Sequence, residues 1–249
     1  MADKIPLRQK VIYGPVNSRR LGKSLGINLT PPGTKICSFD CVYCQYGETE
    51  VKSREYDSQN APTPEMVGES LEEALEELSE DPDYLTFSGN GEPTLHPEFG
   101  KILEVVRKVR NRTSEAKIAL LSNSSKVNQR DFLASLNKVD VPIMKLDVGS
   151  SEKFDQINRP LQIQFQEVVE NLKKIDNLHL QSLKFTGELG NLGEDLQKWA
   201  GIVEELEPRE VQIYSLDRPC RFDLEKAGKD RLEEIRRVLA TKGIESGIY

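Results

Sequence analysis

The sequence predicts an α/β fold in which one domain forms a partial (β/α)6 TIM-like barrel. Short apolar segments typical of strands alternate with amphipathic segments typical of helices about six times, which implies right-handed βαβ crossovers and a parallel sheet. The length of 249 residues suits one α/β barrel. Polar motifs repeatedly follow the strand segments, where parallel α/β folds place their ligand sites.

The predicted elements follow one another along most of the chain. We expect 1–249 to form one domain, with 1–24 as an amino-terminal extension that leads into the first strand. In the first helix Thr63 suits the N-cap and Pro64 the first helical position. The predicted strands cover residues 25–29, 84–88, 117–121, 142–147, 179–186 and 211–216. The predicted helices cover residues 64–79, 97–110, 131–136, 165–175, 195–206 and 229–242.

Composition and charge limit the classes of function. Hydrophobic residues make up 37% of the chain and charged residues 30%, a balance typical of a folded globular protein. The amino-terminal sequence MADKIPLRQK has no apolar signal-like region, and no window is apolar enough to cross a bilayer. We therefore expect a cytoplasmic protein without a membrane partner. The net charge of −7 gives no general attraction for the phosphate backbone of a nucleic acid.

The segment CSFDCVYC, residues 37–44, contains three of the four cysteines. A disulfide with one spare thiol is unexpected in a reducing compartment. A structural zinc ion would need a fourth ligand from a distant position, namely Cys220, His96 or His179. Buried apolar cysteines explain single thiols but not three in one short loop. An iron-sulfur cluster with three protein thiolates explains the number directly, because one iron then remains free for a ligand from outside the protein.

The spacing Cys37-x3-Cys41-x2-Cys44, with Tyr43 directly before the last cysteine, resembles the signature of the radical S-adenosylmethionine (SAM) superfamily. The resemblance implies that the three cysteines hold a [4Fe-4S] cluster and that the free iron binds SAM. It also implies that one electron from the cluster cleaves SAM to methionine and a 5′-deoxyadenosyl radical, which abstracts hydrogen from a substrate. Tyr43 is then a cofactor-binding residue.

A second motif, SGNGEPT at residues 88–94, follows the second predicted strand. Alone it indicates a glycine turn between a strand and a helix, in which Gly89 and Gly91 permit close backbone approach. Glu92 offers a carboxylate to a cationic group. The segment resembles the radical SAM motif in which the position of Glu92 contacts the methionyl amino group of SAM. By this resemblance Gly89, Asn90, Gly91 and Glu92 are cofactor-binding residues.

The third and fourth predicted strands end in further polar residues. Ser122 and Asn123 either cap the turn after their strand or, by the same resemblance, contact the methionyl carboxylate or the ribose of SAM. Lys145 and Asp147 alternate along the fourth strand and therefore share one face. They either form an ion pair or lie near the active site, with Asp147 as the candidate for the ribose hydroxyls.

The later strands supply candidates for the substrate end of the barrel. These candidates are Lys184, Tyr214, Asp217 and Arg218. Cys220 either has no part in the chemistry or acts as a thiol that donates a hydrogen atom or binds a further ligand. Arg19, Arg20 and Arg159 are able to hold an anionic substrate, although a solvated structural role is the usual one for exposed arginines.

Three longer segments are similar to the branch of the superfamily that contains the wyosine-base synthases, which act on a guanosine in transfer RNA. These segments are YGPVNSRRLGKSLGINL, GNGEPTLHPEF and KLDVGSSEKFDQINRP. Residues 1–36 lack the upstream cysteines that hold a second cluster in those enzymes, so chemistry that depends on that cluster cannot be transferred to this chain.

Several functions therefore remain open at the level of sequence. The chain is predicted to be a radical SAM enzyme, with a glycyl-radical-enzyme activase or a tRNA-base-modifying enzyme as alternatives. A scaffold protein with a structural metal is the non-enzymatic alternative. The enzymatic hypothesis implies a one-electron donor such as flavodoxin or ferredoxin, and a substrate that is a small molecule, a peptide or tRNA.

Overall fold

The computed structural model describes residues 5–56, 60–126, 130–218, 220 and 222–249. The strands of its main sheet are β1 Ile12–Ser18, β2 Gly22–Ile27, β5 Tyr84–Phe87, β6 Lys117–Ser122, β7 Val141–Lys145, β8 His179–Leu183, β10 Glu210–Tyr214 and β12 Ser246–Ile248. Short strands outside this sheet are β3 Ile36–Cys37, β4 Val51–Lys52, β9 Phe185–Thr186 and β11 Glu225–Lys226. The helices are α1 Pro64–Glu76, α2 Phe99–Thr113, α3 Arg130–Leu136, α4 Ser151–Ile157, α5 Phe165–Leu172, α6 Glu194–Leu206 and α7 Lys229–Thr241.

The main sheet has the strand order β1-β2-β5-β6-β7-β8-β10-β12. The β1–β2 pair is antiparallel, and every other neighbouring pair in the sheet is parallel. The sheet curls into a half-barrel, so the predicted partial TIM-like barrel is confirmed. The carboxyl ends of its parallel strands meet at one rim, which brings together the loops that carry the polar motifs.

The two faces of the sheet differ in character because side chains alternate along a strand. Ile27 of β2 and Phe87 of β5 are fully buried in the apolar core that the sheet shares with the helices. On the other face, Ser24, Gly26 and Thr86 line a cavity in the half-barrel. The hydroxyl oxygens of Ser24 and Thr86 lie 2.7 Å apart. The interior of the half-barrel is therefore partly polar, as a ligand site requires.

Besides the short strands β3, β4 and β11, three elements were not predicted from the sequence. Strand β1 lies within the predicted extension, and most of its side chains are exposed, so no apolar alternation marks it. Helix α4 has seven residues, of which only Phe154 and Ile157 are buried, too few to form a recognisable helical face. Strand β12 has three residues, all of them only partly buried. Their positions depend on tertiary pairing rather than on local pattern.

Several predicted boundaries need correction. The fourth predicted strand, 142–147, ends at Lys145, so Asp147 lies in the loop after β7. The fifth predicted strand, 179–186, is interrupted: β8 ends at Leu183, and β9 pairs with β11 outside the main sheet. Helix α2 begins at Phe99 and not at residue 97, because residues 96–98 form a turn between the short 3-10 helix Pro93–Leu95 and α2. Among the described residues, no helix has the length and apolar character needed to cross a membrane.

Candidate active site

The three cysteines of CSFDCVYC lie on the loop that follows β2, at the rim of the half-barrel. Short strand β3 places Cys37 beside β4, and a turn connects Cys41 to Cys44, whose backbone N–H donates to the Cys41 carbonyl at 3.1 Å. All three cysteines are partly buried residues, and neighbouring thiols interact electrostatically. In the part of the chain that the structure describes, no three His, Cys, Asp or Glu side chains converge on the position of a single metal ion.

Two asparagine amides donate to the cysteine sulfurs. Asn123 Nδ2 lies 3.6 Å from Cys37 Sγ, and Asn158 Nδ2 lies 3.5 Å from Cys41 Sγ. The Phe39 backbone N–H also donates to Cys37 Sγ, at 3.4 Å. Hydrogen bonds of this kind stabilise sulfur in its charged form and help set the potential of iron-sulfur clusters. The donor set thus fits cluster thiolates.

Burial keeps the free thiols of Cys37 and Cys41 protonated. It raises the pKa of Cys37, and the neighbouring Glu92 carboxylate raises it further. Burial also raises the pKa of Cys41, to about 11. Binding to iron deprotonates a thiol, so cluster assembly would release these protons.

The Glu92 carboxylate connects the second motif to the cysteine loop. Glu92 is 2% exposed and accepts hydrogen bonds from Thr94 N (3.1 Å), Thr94 Oγ1 (2.6 Å), Ser122 Oγ (2.9 Å) and Asn123 N (2.7 Å). Burial raises the pKa of Glu92, whereas these donors oppose the increase. By holding the backbone of Asn123, Glu92 fixes the residue whose amide reaches Cys37.

The glycines of SGNGEPT allow this close packing. A Cβ on Gly91 would lie 1.8 Å from the carbonyl oxygen of Ile36, the residue before Cys37. The next residue, Glu92, donates its backbone N–H to that same carbonyl at 3.0 Å. Gly89 has a φ of +138°, a conformation that favours glycine. The glycine loop therefore packs directly against the backbone that carries the first cysteine.

Asn90 lies in the same loop but contacts a different segment. Its side-chain oxygen accepts from Arg8 N at 2.7 Å, and its Nδ2 donates to Arg8 O at 2.9 Å. Asn90 is fully buried, and its own backbone N–H donates to Asn28 Oδ1 at 3.0 Å. The contacts of Asn90 thus hold the amino-terminal segment in place against the glycine loop.

Asp147 is the centre of a hydrogen-bonded cluster behind the cysteine loop. Tyr43 donates its hydroxyl to Asp147 Oδ2, and Asn158 Nδ2 reaches the same oxygen at 3.2 Å and Tyr43 Oη at 3.0 Å. The Leu183 N–H donates to Asp147 Oδ1 at 2.8 Å. Burial raises the pKa of Tyr43, and the Asp147 carboxylate raises it further, so the phenol remains a donor. Asn158 connects this cluster to Cys41.

Lys145 extends the cluster into the half-barrel. Its Nζ lies 3.3 Å from Asp147 Oδ1 and 2.5 Å from the Tyr214 hydroxyl, which in turn donates to Gln181 Oε1 at 3.2 Å. Burial lowers the pKa of Lys145, but Asp147 and Tyr214 outweigh that effect and raise it overall. Lys145 therefore carries a positive charge, and Lys145 and Asp147 form the ion pair that the sequence left open.

The four predicted substrate residues are not all brought together. Tyr214 contacts Lys145 in the interior. Lys184 is fully buried on the helix side of the sheet, where its Nζ donates to the Asp147 carbonyl at 2.7 Å and lies 3.7 Å from the centroid of the Trp199 ring. Asp217 forms an exposed ion pair with Arg19 at 3.4 Å, and Arg218 is exposed.

The three residues that the sequence offered as a fourth zinc ligand each contact a neighbouring residue. The Cys220 thiol donates to the Phe222 carbonyl at 3.2 Å, and Cys44 is among the groups that raise its pKa, after burial. His96 is buried, and its Nδ1 accepts from the Glu98 N–H at 3.1 Å at the entry to α2. His179 lies beside Glu210, with 3.6 Å between Nδ1 and Oε2.

Asn158 was not selected from the sequence, although it contacts Cys41, Tyr43 and Asp147. It follows the unpredicted helix α4, where its backbone N–H donates to the Phe154 carbonyl at 2.8 Å. The sequence signal for Asn158 is its position in KLDVGSSEKFDQINRP, one of the three segments that are similar to the wyosine-base-synthase branch. An asparagine at a helix end is common, so residue type alone did not distinguish it.

Replacing Lys184 by methionine tests its assignment to the core. Burial lowers the pKa of folded Lys184 to about 7, below that of the unfolded chain. Between those two pKa values the unfolded chain binds more protons, so Lys184 makes stability rise with pH by up to about 1.4 kcal/mol per unit. We expect Lys184→Met to remove this rise between about pH 7 and 10.

Urea unfolding of both proteins across that pH range measures the difference in slope. Lys101→Met is the matched control, because the Lys101 side chain is 75% exposed. If the free energy of unfolding of Lys184→Met rises with pH as steeply as that of the wild-type protein, Lys184 is not desolvated as described.

Comparison with known proteins places these observations in context. The sequence model of the radical SAM superfamily matches residues 32–206. A UPF0026 protein of Methanocaldococcus jannaschii is 35% identical over 240 residues, covering 92% of this chain and 70% of the relative. A UPF0026 protein of Synechocystis sp. is 32% identical over 238 residues, covering 95% of this chain and 82% of the relative.

Solved structures share the fold at low sequence identity. A radical SAM methyltransferase from Sphaerobacter thermophilus superposes with a TM-score of 0.68 at 12% identity, covering 91% of this chain and 65% of that protein. TYW1 with a lysine-pyruvate adduct bound gives a TM-score of 0.60 at 15% identity, covering 88% of this chain and 73% of that protein. These identities support a common fold and carry no substrate assignment.

Proposed function

We propose, from the premise that this chain belongs to the radical SAM superfamily, that Cys37, Cys41 and Cys44 hold a [4Fe-4S] cluster and that SAM binds beside Glu92. The chain is thus a radical SAM iron-sulfur enzyme, with the type of reaction left open. When bound, the cluster and SAM supply reductive cleavage of SAM to a 5′-deoxyadenosyl radical, which abstracts hydrogen from the substrate.

The observation that carries the proposal is the pair of asparagine amides at the cysteine loop. Asn123 follows β6 and Asn158 follows α4, yet both reach a cysteine sulfur of the same loop. Each amide has further hydrogen bonds that fix its orientation, including the 2.9 Å bond from Asn123 Nδ2 to Ser38 Oγ. Oriented N–H donors aimed at sulfur are what cluster thiolates require and what isolated core cysteines do not.

The residues proposed to bind SAM are held by one another. Glu92 orients Ser122 and Asn123, while Tyr43 and Asp147 are joined on the other side of the loop. Such mutual support reduces the reorganisation needed when a cofactor binds. In this proposal the buried side chains around Asp147 also exclude water from the reacting atoms.

The rim also suits the approach of a reductant. All three cysteines of the loop are partly exposed, so an electron donor can come close to the proposed cluster without the protein opening. We propose a one-electron donor of the flavodoxin or ferredoxin type at this rim.

Metal analysis tests the proposal directly. Protein reconstituted without oxygen should contain about four iron atoms with matching sulfide per chain. With dithionite and SAM it should form 5′-deoxyadenosine. One zinc ion per chain without sulfide would instead support the scaffold hypothesis and overturn the proposed function.

A further inference from the structure

A cavity of about 330 Å³ lies in the half-barrel beside the SGNGEPT loop. The β1–β2 hairpin forms one wall and β5 forms another, while Gln45 and Tyr46, just after Cys44, border it on the side of the cysteine loop. Arg8 and Arg20 line this cavity, and among its described lining residues there is no aspartate or glutamate. Its local charge is therefore opposite to the net charge of −7 for the whole chain.

Both arginines have a buried nitrogen with no hydrogen-bond partner among the described residues. These atoms are Arg8 Nε and Arg20 Nη1. A buried donor without a partner is unfavourable, and more so on a charged group, so the described residues do not satisfy either guanidinium. Two guanidinium groups that line one cavity without an acidic residue among its described lining indicate an anionic ligand.

The two guanidinium groups are already held in position. The Arg8 guanidinium carbon lies 4.3 Å from the centroid of the Tyr13 ring, and that of Arg20 lies 4.5 Å from the centroid of Tyr214. Stacking on an aromatic face orients a guanidinium while leaving its in-plane N–H groups free to bind. Little side-chain order would then be lost when an anion binds.

The backbones of both arginines are also fixed. Asn90 holds Arg8 through two hydrogen bonds, at 2.7 and 2.9 Å. Ser18 Oγ accepts from Arg20 N at 3.3 Å and from Leu21 N at 3.1 Å in the turn of the β1–β2 hairpin. Leu21 itself is buried and packs with Ala119 and Ile143. Buried contacts thus anchor the turn that carries Arg20.

We propose that this cavity binds the anionic group, a carboxylate or a phosphate, of the enzyme's substrate through Arg8 and Arg20. Both anions match the fork of N–H donors that a guanidinium presents. The assignment rests on the proposed function, since it names the substrate class for the same half-barrel. Tyr214 belongs to this subsite because its ring supports Arg20.

Binding of inorganic phosphate and of malonate to the reconstituted holoprotein tests the proposal. Calorimetric titration without oxygen and at constant ionic strength should show saturable binding of at least one of the two, and the tighter probe identifies the anion. Arg20→Gln and Arg8→Gln should each weaken that binding at least about tenfold, the effect of one charge-assisted hydrogen bond. Arg112→Gln, which removes an arginine from the outer surface of α2, should leave it unchanged.

Measuring SAM affinity in the same variants distinguishes an anionic group of the substrate from the carboxylate of SAM. For Arg20→Gln the loss in phosphate or malonate affinity should exceed the loss in SAM affinity by about tenfold. Equal losses would assign the guanidinium to the carboxylate of SAM and overturn the proposal. Absence of anion binding by the wild-type protein, or an equal effect of Arg112→Gln, would overturn it as well.

The variant Arg20→Lys and the melting temperature of Arg20→Gln separate loss of charge from loss of folding. Arg20→Lys keeps the charge but not the planar fork, so it should restore part of the affinity if Arg20→Gln is folded, as its melting temperature would establish. If lysine restores none of the affinity, the charge of Arg20 does not hold the anion. Anion binding is read without turnover, so failure to form 5′-deoxyadenosine would count against the proposed function alone.

Discussion

Cys41→Ala should leave a folded protein that retains no intact [4Fe-4S] cluster and forms no 5′-deoxyadenosine. Cys41 is the middle ligand of the proposed set, and alanine offers no donor to iron. Replacing a residue that only supports a metal ligand typically costs about 10–100-fold in metal affinity or activity. Replacing a ligand itself should therefore reduce the rate of 5′-deoxyadenosine formation below about 1% of wild type. The assay is 5′-deoxyadenosine formation with dithionite and SAM, without oxygen, alongside iron and sulfide content.

The matched control is Cys220→Ala, which removes a thiol outside the three-cysteine spacing. The Cys220 thiol contacts the carbonyl of Phe222, and among the described residues no asparagine amide donates to its sulfur. The Cys220→Ala protein should therefore retain iron and sulfide at the wild-type level. Cys41→Ala protein that still yields 5′-deoxyadenosine at the wild-type rate would show that the ligand assignment is wrong.

The fold was largely predictable because apolar patterning is local. Strand β6, predicted at 117–121, occupies Lys117–Ser122, because an apolar run as short as residues 118–121 favours a buried strand over a helix. Strand β1 has no such run, and its position follows from pairing with β2. Pattern reasoning therefore identified the parallel strands between helices and failed at the edges of the sheet.

The candidate site was predictable where residues belong to loops at the rim. Tyr43 and Asp147 are 104 positions apart and were both assigned to cofactor binding, and their side chains share a hydrogen bond. Lys184 was placed at the substrate end instead, because residues on both faces of β8 are buried and no alternation shows which face is interior. Arg8 lies in a segment without periodicity, so only the three-dimensional structure placed it in the cavity.

Glu92→Gln should weaken SAM binding at least about tenfold while the cluster is retained. The carboxylate accepts four hydrogen bonds, and all four partners are donors: Thr94 N, Thr94 Oγ1, Ser122 Oγ and Asn123 N. A carboxamide is nearly the same size as a carboxylate and keeps one acceptor oxygen for the three donors that meet Oε1, namely Thr94 N, Thr94 Oγ1 and Ser122 Oγ. The substitution removes the negative charge that the proposal places beside the methionyl amino group, and this loss of charge is the expected cause of the weaker SAM binding.

Equilibrium binding of SAM to the reconstituted protein measures the effect, with iron content measured on the same samples. Glu98→Gln is the matched control, since Glu98 lies six positions later and its carboxylate pairs with exposed Lys101 at 2.8 Å. A purely structural role for Glu92 would act through Asn123, the donor to Cys37, and would shift the reduction potential of the cluster even without SAM. Weaker SAM binding at an unchanged potential therefore identifies Glu92 as a SAM ligand, whereas unchanged SAM affinity removes it from the site.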